Sequence, residues 1–382
     1  MDFALTPGQK ALRARVIAFA SERLNAGVIE RDRAAEFPRP LWNECAKAGL
    51  AGLPAPADIG GSGADCLTTA IACEALGYGC RDGGLAFSLF AHLLACVAPI
   101  ARFGTEEQKR RWLPGLCDGT VIGANAMTEP EAGSDAYGMM TTAVPDGDGF
   151  RVSGRKSFCT NAPVAGLFIV FAITDPDAGA TSRFTAMLVD AGAPGVTAGP
   201  PVEKSALRTS PLGNVLLENV AVPGGAVLGG VGGGVTVFSY AMAWERICLF
   251  AGQVGVMERV LERAIHHANS RTVRGRRIGE HQAVSHRLAD NKIRLEAARL
   301  LVQNAAWRMD RHRGGGLASS IAKAYVSEAL VAGTQDALRT FGGAGVLADT
   351  EIERACRDAL ASLIYSGTND IQREIIARMI GL

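Results

Sequence analysis

The spacing of apolar residues changes twice along this 382-residue chain, and these changes limit the folds that it can adopt. From residue 1 to about 121, apolar residues recur at three- and four-residue intervals, as in TPGQKALRARVIAFASERL, which is typical of amphipathic helices. Between about 122 and 229, short β-rich runs such as LFIVFAIT and FTAMLVDA are separated by Gly, Pro and Asp. From about 235 onward, long helical segments return.

This order predicts a mainly α protein with a central β-domain. We place an N-terminal helical domain at 1–121, a middle β-barrel or β-sandwich at 122–229, and a C-terminal four-helix bundle at 230–382. The glycine-rich segment GGAVLGGVGGG at 224–234 is interpreted as a flexible junction. The order of strands in the β-domain does not follow from periodicity.

Composition and charge favour a protein with a large buried core. Hydrophobic residues make up 48% of the chain, and a net charge of +1 gives no overall field for nucleic acid. The longest apolar run, GLAFSLFAHLLACVAPIARFG, is interrupted by His92 and Pro99, so we expect a buried core helix rather than a membrane span. The N-terminus has no signal-peptide order, and Thr6 and Pro7 are interpreted as a helix cap and first helical residue. We therefore expect a cytoplasmic protein without a membrane or nucleic-acid partner.

The cysteine pattern predicts free thiols. The nine cysteines contain no CxxC pair and no His partner at zinc-site spacing, so we expect buried thiols in a reducing compartment and no metal site. The glycine-rich segments do not form a GxGxxG between a strand and a helix. A nucleotide cofactor would therefore have to bind by other means than a Rossmann site.

Six segments, in this order and spacing, resemble the acyl-CoA dehydrogenase superfamily over essentially the whole chain. They are NAMTEPEAGSD (125–135), RKSFCTNAP (155–163), WERICLFAGQVG (244–255), SRTVRGRRIGEHQAVS (270–285), FGGAGVLADTEIER (341–354) and YSGTNDIQREIIAR (365–378). The resemblance implies a homodimeric or homotetrameric flavoprotein that holds FAD between the β-domain and the bundle. It also implies the reaction, in which a carboxylate removes the α-proton of an acyl thioester while a hydride leaves Cβ for the flavin.

The resemblance assigns cofactor and substrate contacts position by position. The positions that match FAD contacts are Met127, Thr128, Phe158, Thr160, Arg271, Gln282, Gly342, Gly343, Thr368 and Asn369. Among these, Thr160 matches a hydroxyl beside flavin N5, and Arg271 matches a contact to the FAD pyrophosphate of a neighbouring subunit. The positions assigned to the substrate are Ser134, Arg246 and Ser366. Phe158, Arg274 and Arg339 depart from the usual tryptophan, phenylalanine and glutamine.

The catalytic base is the main departure from the family pattern. Many members carry a glutamate base where this chain has Ser366, whose hydroxyl has the wrong pKa for that role. Either catalysis has been lost, or the base comes from elsewhere. Isovaleryl- and long-chain acyl-CoA dehydrogenases carry their glutamate at the position of Glu245, beside an apolar run that would raise its pKa. The alternative is an ordinary first-turn acid, and the sequence favours Glu245 as the base.

Finer resemblance indicates the substrate. Segments at 77–104, 155–166, 241–251 and 365–378 look like prolyl-carrier-protein dehydrogenases of pyrrole-forming pathways. The leading hypothesis is therefore an FAD-dependent dehydrogenase of a carrier-tethered prolyl or similar thioester in secondary metabolism. A dehydrogenase of free short or branched acyl-CoA and a flavin-binding scaffold without turnover are the alternatives. Basic segments at 103–115 and 271–282 could dock an acidic carrier. The electron acceptor, an electron-transfer flavoprotein or oxygen, stays open.

Overall fold

The N-terminal part of the computed structural model is helical, and the structure as a whole describes residues 4–311 and 315–382. The first helix begins as the sequence predicts, because the Thr6 hydroxyl accepts a hydrogen bond from the Gln9 N–H and Pro7 is the first helical residue. The helices are α1 Pro7–Arg23, α2 Val28–Ala34, α3 Arg39–Lys47, α4 Cys66–Gly79, α5 Gly83–His92, α6 Ala98–Phe103 and α7 Glu106–Cys117.

The predicted core helix is confirmed. A π-helical turn at Leu93–Val97 joins α5 to α6, so that Gly83–Phe103 is one continuous apolar helix. This helix is long and apolar enough to cross a membrane, but 83% of its most apolar window is buried inside the protein. His92 is buried and links two domains, because its Nδ1 accepts from the Gly123 N–H at 2.9 Å and its Nε2 lies 3.1 Å from the Leu116 carbonyl. Burial lowers the pKa of His92 to about 4, so the ring is neutral.

The middle of the chain forms an eight-stranded sheet in the order β6-β7-β3-β2-β4-β5-β8, with β1 paired in parallel to β4. The strands are β1 Gly123–Ala126, β2 Thr142–Asp146, β3 Gly149–Thr160, β4 Leu167–Ile173, β5 Phe184–Asp190, β6 Val196–Ala198, β7 Leu212–Val222 and β8 Val227–Leu228. The expectation of a flexible glycine-rich junction is wrong in part, since β8 lies inside that segment and pairs with β5. The ladder provides Val227 and Leu228 with the partners that a free linker would lack.

Long helices return in the C-terminal part of the chain. They are α8 Gly234–Trp244, α9 Phe250–Ser270, α10 Gln282–Asp310, α11 Gly315–Phe341, α12 Glu351–Ala361 and α13 Asn369–Met379, with a small hairpin of β9 Thr272–Val273 and β10 Arg276–Arg277 after α9. The helices α9, α10 and α11 pack against one another, and α4 of the N-terminal part packs on both α9 and α10. The predicted class, mainly α with a central β-domain between two helical domains, is confirmed.

The helices α4 and α9 approach each other at glycines. A Cβ added to Gly77 would lie 1.9 Å from the Gly252 carbonyl oxygen, and one added to Gly255 would lie 2.0 Å from that of Glu74. Only glycine permits backbones to come this close. This contact, which we term the glycine crossing, fixes the N-terminal helices to the first long helix of the C-terminal part.

Two apolar cores position the middle domain. Leu167, Ile169 and Phe171 of β4 belong to a core that runs through both helical domains, whereas Phe168 and Val170 face a second core on the other side of the sheet. This alternation follows from the period of two along a strand. One face of the sheet is therefore packed on the helices that carry the candidate base.

Candidate active site

Glu245 lies at a π-helical turn. The turn Glu245–Leu249 joins α8 to α9 and contacts the other π-helical turn, Leu93–Val97. Such turns widen a helix by one residue and occur often at functional sites. Glu245 keeps some access to solvent, whereas Ile247, Cys248 and Leu249 are buried. The turn therefore presents one carboxylate at the edge of an apolar core.

Ser366 meets Glu245 from the turn between α12 and α13. Its hydroxyl donates a hydrogen bond to Glu245 Oε2 at 2.8 Å. The Ser366 backbone has a φ of 56°, in the left-handed region that few non-glycine residues adopt, and its carbonyl accepts from Arg246 Nε at 3.1 Å. Gln372 Nε2 donates to the same carbonyl and to that of Gly367, at 3.3 and 3.1 Å. The turn is thus a fixed support for the Ser366 hydroxyl.

Burial raises the pKa of Glu245 to about 7. The hydrogen bond from Ser366 and the positive charge of Arg246 act in the opposite direction, because both stabilise the ionised carboxylate. The sequence predicts this direction from the apolar run after Glu245. A carboxyl group that titrates near neutral pH can both accept and release a proton under ordinary conditions.

Lys323 binds the same turn through two hydrogen bonds. The sequence analysis did not identify this residue. This buried side chain on α11 donates to the Leu363 carbonyl at 3.2 Å and to Asn369 Oδ1 at 2.5 Å. Burial lowers the pKa of Lys323 to about 7. Asn369 Oδ1 also accepts from Ser327, and its Nδ2 donates to Glu328. The Asn369 amide is therefore engaged within the chain, and its assignment as an FAD contact stays a prediction.

The sequence does contain one feature that could have indicated a buried role for Lys323, namely a single lysine in an otherwise apolar stretch. The segment SSIAKAYV of α11 consists otherwise of small and apolar residues, and a cation there is expensive to bury without partners. The neighbouring Thr368 acts as the N-cap of α13, since its hydroxyl accepts from the Ile371 N–H at 3.2 Å. This hydrogen bond fixes the start of α13, whereas the assignment of Thr368 as an FAD contact stays a prediction.

Met127 and Thr128 follow β1 and are tied to β3. Lys156 Nζ donates to the Met127 carbonyl at 3.1 Å and forms an ion pair with Glu129 at 2.8 Å, and both charged side chains are buried. The Ser157 N–H donates to the Thr128 carbonyl at 2.8 Å. Sequence reasoning did not find the Lys156–Glu129 pair, because its members lie in different segments of the chain.

Glu129 also binds the far end of the loop that precedes β2. Its two carboxylate oxygens accept from the Met140 N–H at 2.6 Å and from the Thr141 N–H at 3.0 Å. The loop between these contacts carries Ser134, which is exposed to solvent. A buried ion pair with satisfied hydrogen bonds therefore fixes both ends of the segment on which the predicted substrate contact lies.

Phe158 and Thr160 lie at the end of β3. The β3–β7 register shifts between Lys156 and Cys159, which places Phe158 in a bulge with a φ of 53°. The side chain of Phe158 is 64% exposed, an unusual position for an aromatic ring. Thr160 is partly buried and ends the strand. A planar ligand could cover the ring and lie beside the Thr160 hydroxyl.

Another set of predicted cofactor positions lies near the C-terminal end of α9. His267 of α9 stacks on Phe341 of α11 at 4.3 Å between ring centroids, which brings the two helix ends together. Arg271 directly follows α9 and is exposed, and no ion pair among residues 4–311 and 315–382 includes its guanidinium. Gln282 begins α10. A Cβ at Gly342 or Gly343 would meet no atom within 4 Å, so this surface is open.

These two groups are far apart within one chain. At a rise of about 1.5 Å per residue, Glu245 and Arg271 are separated by roughly 40 Å along the helix. The pair Arg274 and Gly275, with φ of 50° and 74°, forms the tight turn of the β9–β10 hairpin beside Arg271. Glu245, Arg246 and Ser366 therefore lie together, whereas Arg271, Gln282, Gly342 and Gly343 lie beyond the other end of this helical segment.

Comparison with known proteins identifies the family. Three family models match the chain. The model of the acyl-CoA dehydrogenase N-terminal domain matches residues 6–120, that of the middle domain matches 124–220, and that of the C-terminal domain matches 232–381. The chain belongs to the acyl-CoA dehydrogenase family. The resemblance drawn from the six sequence segments is thus confirmed.

Among acyl-CoA dehydrogenase family members, this chain is similar to proteins that act on carrier-bound proline. It is 44% identical to the L-prolyl-[peptidyl-carrier protein] dehydrogenase of Pseudomonas fluorescens over 100% of both chains. A crystal structure of the prolyl acyl carrier protein oxidase AnaB has a TM-score of 0.97 at 42% identity, covering 99% of this chain and 100% of AnaB. The structure of PigA with FAD and proline has a TM-score of 0.97 at 40% identity, covering 100% of both chains.

Proposed function

We propose that this protein is an FAD-dependent enzyme that dehydrogenates an L-prolyl group held as a thioester on a carrier protein. The observation that carries the proposal is the pairing of Glu245 with Ser366, which presents a carboxyl group of pKa about 7 at the edge of the core. Similarity over the whole chain to enzymes of carrier-bound proline supports this substrate over other thioesters. A place in secondary metabolism follows from the same relatives.

The residues present fit FAD. The exposed ring of Phe158 and the neighbouring Thr160 suit one face of the planar flavin, beside the fixed backbone of Met127 and Thr128. The exposed guanidinium of Arg271, which pairs with no carboxylate in the described part of the chain, suits a pyrophosphate. The open surface at Gly342 and Gly343 admits the adenosine portion. FAD, when bound, supplies the acceptor for the hydride that leaves the substrate.

Glu245 is proposed as the base that removes the α-proton. The hydrogen bond from Ser366 holds Oε2, and Oε1 makes no hydrogen bond within the described part of the chain, so Oε1 is available to the substrate. Above about pH 7 the carboxylate is ionised and can accept the proton. Arg246 and Gln372 keep Ser366 in position through its carbonyl, while Ser134 is proposed to contact the pantetheine arm.

We assign the two groups of cofactor residues to different protomers. Glu245 and Arg271 lie at opposite ends of the helical segment that contains α9, roughly 40 Å apart within one chain, and Arg271 matches a family contact to the FAD of a neighbouring subunit. A homodimer or homotetramer would bring Arg271, Gln282, Gly342 and Gly343 of one protomer to the flavin side of its partner. The nine free thiols are consistent with a reducing, cytoplasmic location.

Oxidation of free short acyl-CoA is the second candidate function. Its support is the 35% identity over 97% of both chains to the short-chain specific acyl-CoA dehydrogenase of Megasphaera elsdenii. Both candidates use the same base and the same cofactor. They differ in the acyl group and in the molecule that carries the thioester.

Anaerobic reduction of the bound flavin separates these candidates. The FAD-loaded protein is mixed with L-prolyl-loaded carrier protein and, in a parallel sample, with butyryl-CoA, and the visible flavin band is followed. We expect bleaching with the prolyl carrier alone, and an uncharged carrier is the control. Bleaching with butyryl-CoA alone would replace the proposal with the second candidate. Bleaching with neither thioester would contradict both candidates.

A further inference from the structure

Lys323 is a fully buried cation on α11 that the proposed reaction does not use. Its ammonium group lies 5.6 Å from the centre of the Phe250 ring and donates hydrogen bonds to a backbone carbonyl and to a side-chain amide. Among residues 4–311 and 315–382, it forms no ion pair with a carboxylate. A charge is costly to bury unless it is compensated, so this cation is expected to have a role beyond packing.

The two acceptors of Lys323 each have a second donor. The Leu363 carbonyl also accepts from the Asn369 N–H at 3.0 Å, and Asn369 Oδ1 also accepts from the Ser327 hydroxyl at 3.0 Å. Without the ammonium group, both oxygens would therefore keep a hydrogen bond. What Lys323 adds is a direct connection between the residues at the two ends of the turn 363–369, at 3.2 Å to Leu363 and 2.5 Å to Asn369.

Ser366 lies in the middle of this turn, and its hydroxyl is 2.8 Å from Glu245 Oε2. Its left-handed backbone, with a φ of 56°, is unfavourable for a residue with a Cβ and persists only where neighbouring contacts hold it. Arg246 holds the Ser366 carbonyl, and Lys323 holds the two ends of the turn. If the ends separated, the backbone at Ser366 would relax and the hydroxyl would leave Glu245.

We propose that Lys323 is a positioning residue for the base, because it closes the turn and so keeps the Ser366 hydroxyl on Glu245. The inference rests on the proposed function and adds a residue to that same site. Lys323 donates to neither carboxylate oxygen of Glu245. Its effect on the base is therefore exerted through Ser366, and this dependence provides a specific test.

Charged groups near these residues provide a second route by which Lys323 could act. Those near Lys323 are Arg246 of the π-helical turn, Glu328 of α11, and Asp370 and Arg373 of α13. Those near Glu245 are Arg246 and the titratable side chains of Tyr365 and Cys96, whose pKa values burial raises. Arg246 is close to both, so loss of Lys323 could change the pKa of Glu245 by electrostatics alone. The experiment has to separate this route from the one through Ser366.

A double-mutant cycle of Lys323→Met and Ser366→Ala makes this separation. Infrared difference spectra of the FAD-loaded protein report the protonation midpoint of Glu245, whose carboxyl band is identified by its absence in Glu245→Gln. We expect Lys323→Met to raise this midpoint by about 0.5–1 pH unit, as loss of the Ser366 hydrogen bond should, and to add no further shift in Ser366→Ala. The matched control is Lys292→Met, at an exposed lysine that pairs with Glu296 on α10, and it should keep the wild-type midpoint.

The same proteins are compared in single-turnover reduction of the flavin by the prolyl carrier. We expect Lys323→Met to lower the limiting rate about tenfold or more, because a displaced base removes the α-proton less efficiently. The carrier concentration that gives half of this rate should stay within about twofold of the wild-type value, since the substitution changes the chemical step rather than binding.

Two results would overturn the proposal. One is a midpoint in Lys323→Met that equals that of the wild type, and the other is a shift that adds in full to that of Ser366→Ala. The infrared midpoint is measured without substrate, so a non-additive shift supports the connection between Lys323 and Ser366 even if Glu245→Gln remains active and the proposed base is wrong. Thermal unfolding identifies a variant that fails to fold, and Lys323→Gln, which is shorter and cannot join both acceptors, then replaces Lys323→Met.

Discussion

The Ser366 hydroxyl donates to Glu245 Oε2 at 2.8 Å, although the two residues are 121 positions apart in the chain. A carboxylate at position 366 would place two negative charges within contact distance, and one of them would have to bind a proton. A hydroxyl avoids this conflict and stabilises the ionised form of Glu245. Serine at position 366 and glutamate at position 245 are therefore complementary choices, and the position of the base is the feature most open to test.

Substitution of the base should abolish turnover without loss of the cofactor. We expect Glu245→Gln to slow flavin reduction by the prolyl carrier at least about a hundredfold, since general bases typically contribute 10²–10⁴-fold. Flavin content is measured by absorbance and should stay that of the wild type. Glu262→Gln, on the exposed side of α9 where Glu262 accepts from Tyr78, is the matched control. Full activity of Glu245→Gln would exclude this residue as the base.

The rate of flavin reduction should depend on the ionisation of Glu245. The pKa of about 7 predicts a rate that falls as pH decreases through neutrality, because the protonated carboxyl cannot accept the α-proton. In Ser366→Ala, a hydrogen bond that lowers this pKa is lost, so the midpoint should move to higher pH. Single-turnover rates between pH 5 and pH 9, together with a solvent-exposed control such as Ser21→Ala, measure this shift. A midpoint that is the same in Ser366→Ala and wild type would argue against the contact in solution.

The same carboxyl group should reduce stability at higher pH. Its folded pKa lies above the ordinary value of 4.5, so folding binds a proton between these values and stability falls as pH rises from about 4.5 to about 7. Glu245→Gln removes this dependence. We expect its melting temperature to exceed that of the wild type above pH 7 and the difference to shrink below pH 4.5. Differential scanning calorimetry of both proteins across this range provides the measurement, and a constant difference would contradict the assignment.

The buried Lys156–Glu129 pair should be essential to the middle domain. Lys156→Met leaves the Glu129 carboxylate buried without its cation, which typically costs about 3–5 kcal/mol of unfolding free energy. The double variant Lys156→Met/Glu129→Gln should recover part of this loss, because no uncompensated charge remains. Chemical denaturation of both variants measures the difference. A single variant as stable as the wild type would show that the pair is dispensable.

Removal of the Arg271 guanidinium should weaken FAD binding. We expect Arg271→Gln to lower the affinity for FAD by about tenfold or more. A charge-assisted bidentate contact contributes about 1.5–3 kcal/mol, and the substitution removes it. The melting temperature of the flavin-free protein should not change, because Arg271 is exposed and pairs with no carboxylate in the described residues. Arg276→Gln on the adjacent hairpin is the control. Equal flavin affinity in both variants would remove Arg271 from the cofactor site.

Local sequence patterns predicted the fold well, whereas contacts between residues distant in sequence could not be predicted. The caps at Thr6 and Thr368 depend on residues three positions away, so they can be recognised in a short segment. The π-helical turn at Glu245 has no signature of its own in the apolar periodicity. Lys323 and Asn369 are 46 positions apart, and only the packing of α11 against the turn before α13 brings them together.

The candidate site shows the same division. Family resemblance indicated Glu245 and Ser366 separately, whereas their hydrogen bond depends on how the turn before α13 packs against the π-helical turn. The rings of Phe87, Phe250 and Tyr365 come from three separate helical regions, and nothing in the spacing of apolar residues distinguishes them from other rings in the core.

Because of the glycine crossing, the position of Glu245 depends on α4 of the N-terminal helices as well as on α9. Backbone touches backbone there, so no side chain can change rotamer to absorb a shift, and a single methyl group would have to move α9 itself. Laboratory evolution toward other acyl groups should therefore find few tolerated changes at Gly77 and Gly255. The same searches should collect their gains at positions where a side chain can be shortened without displacing the helix that carries the base.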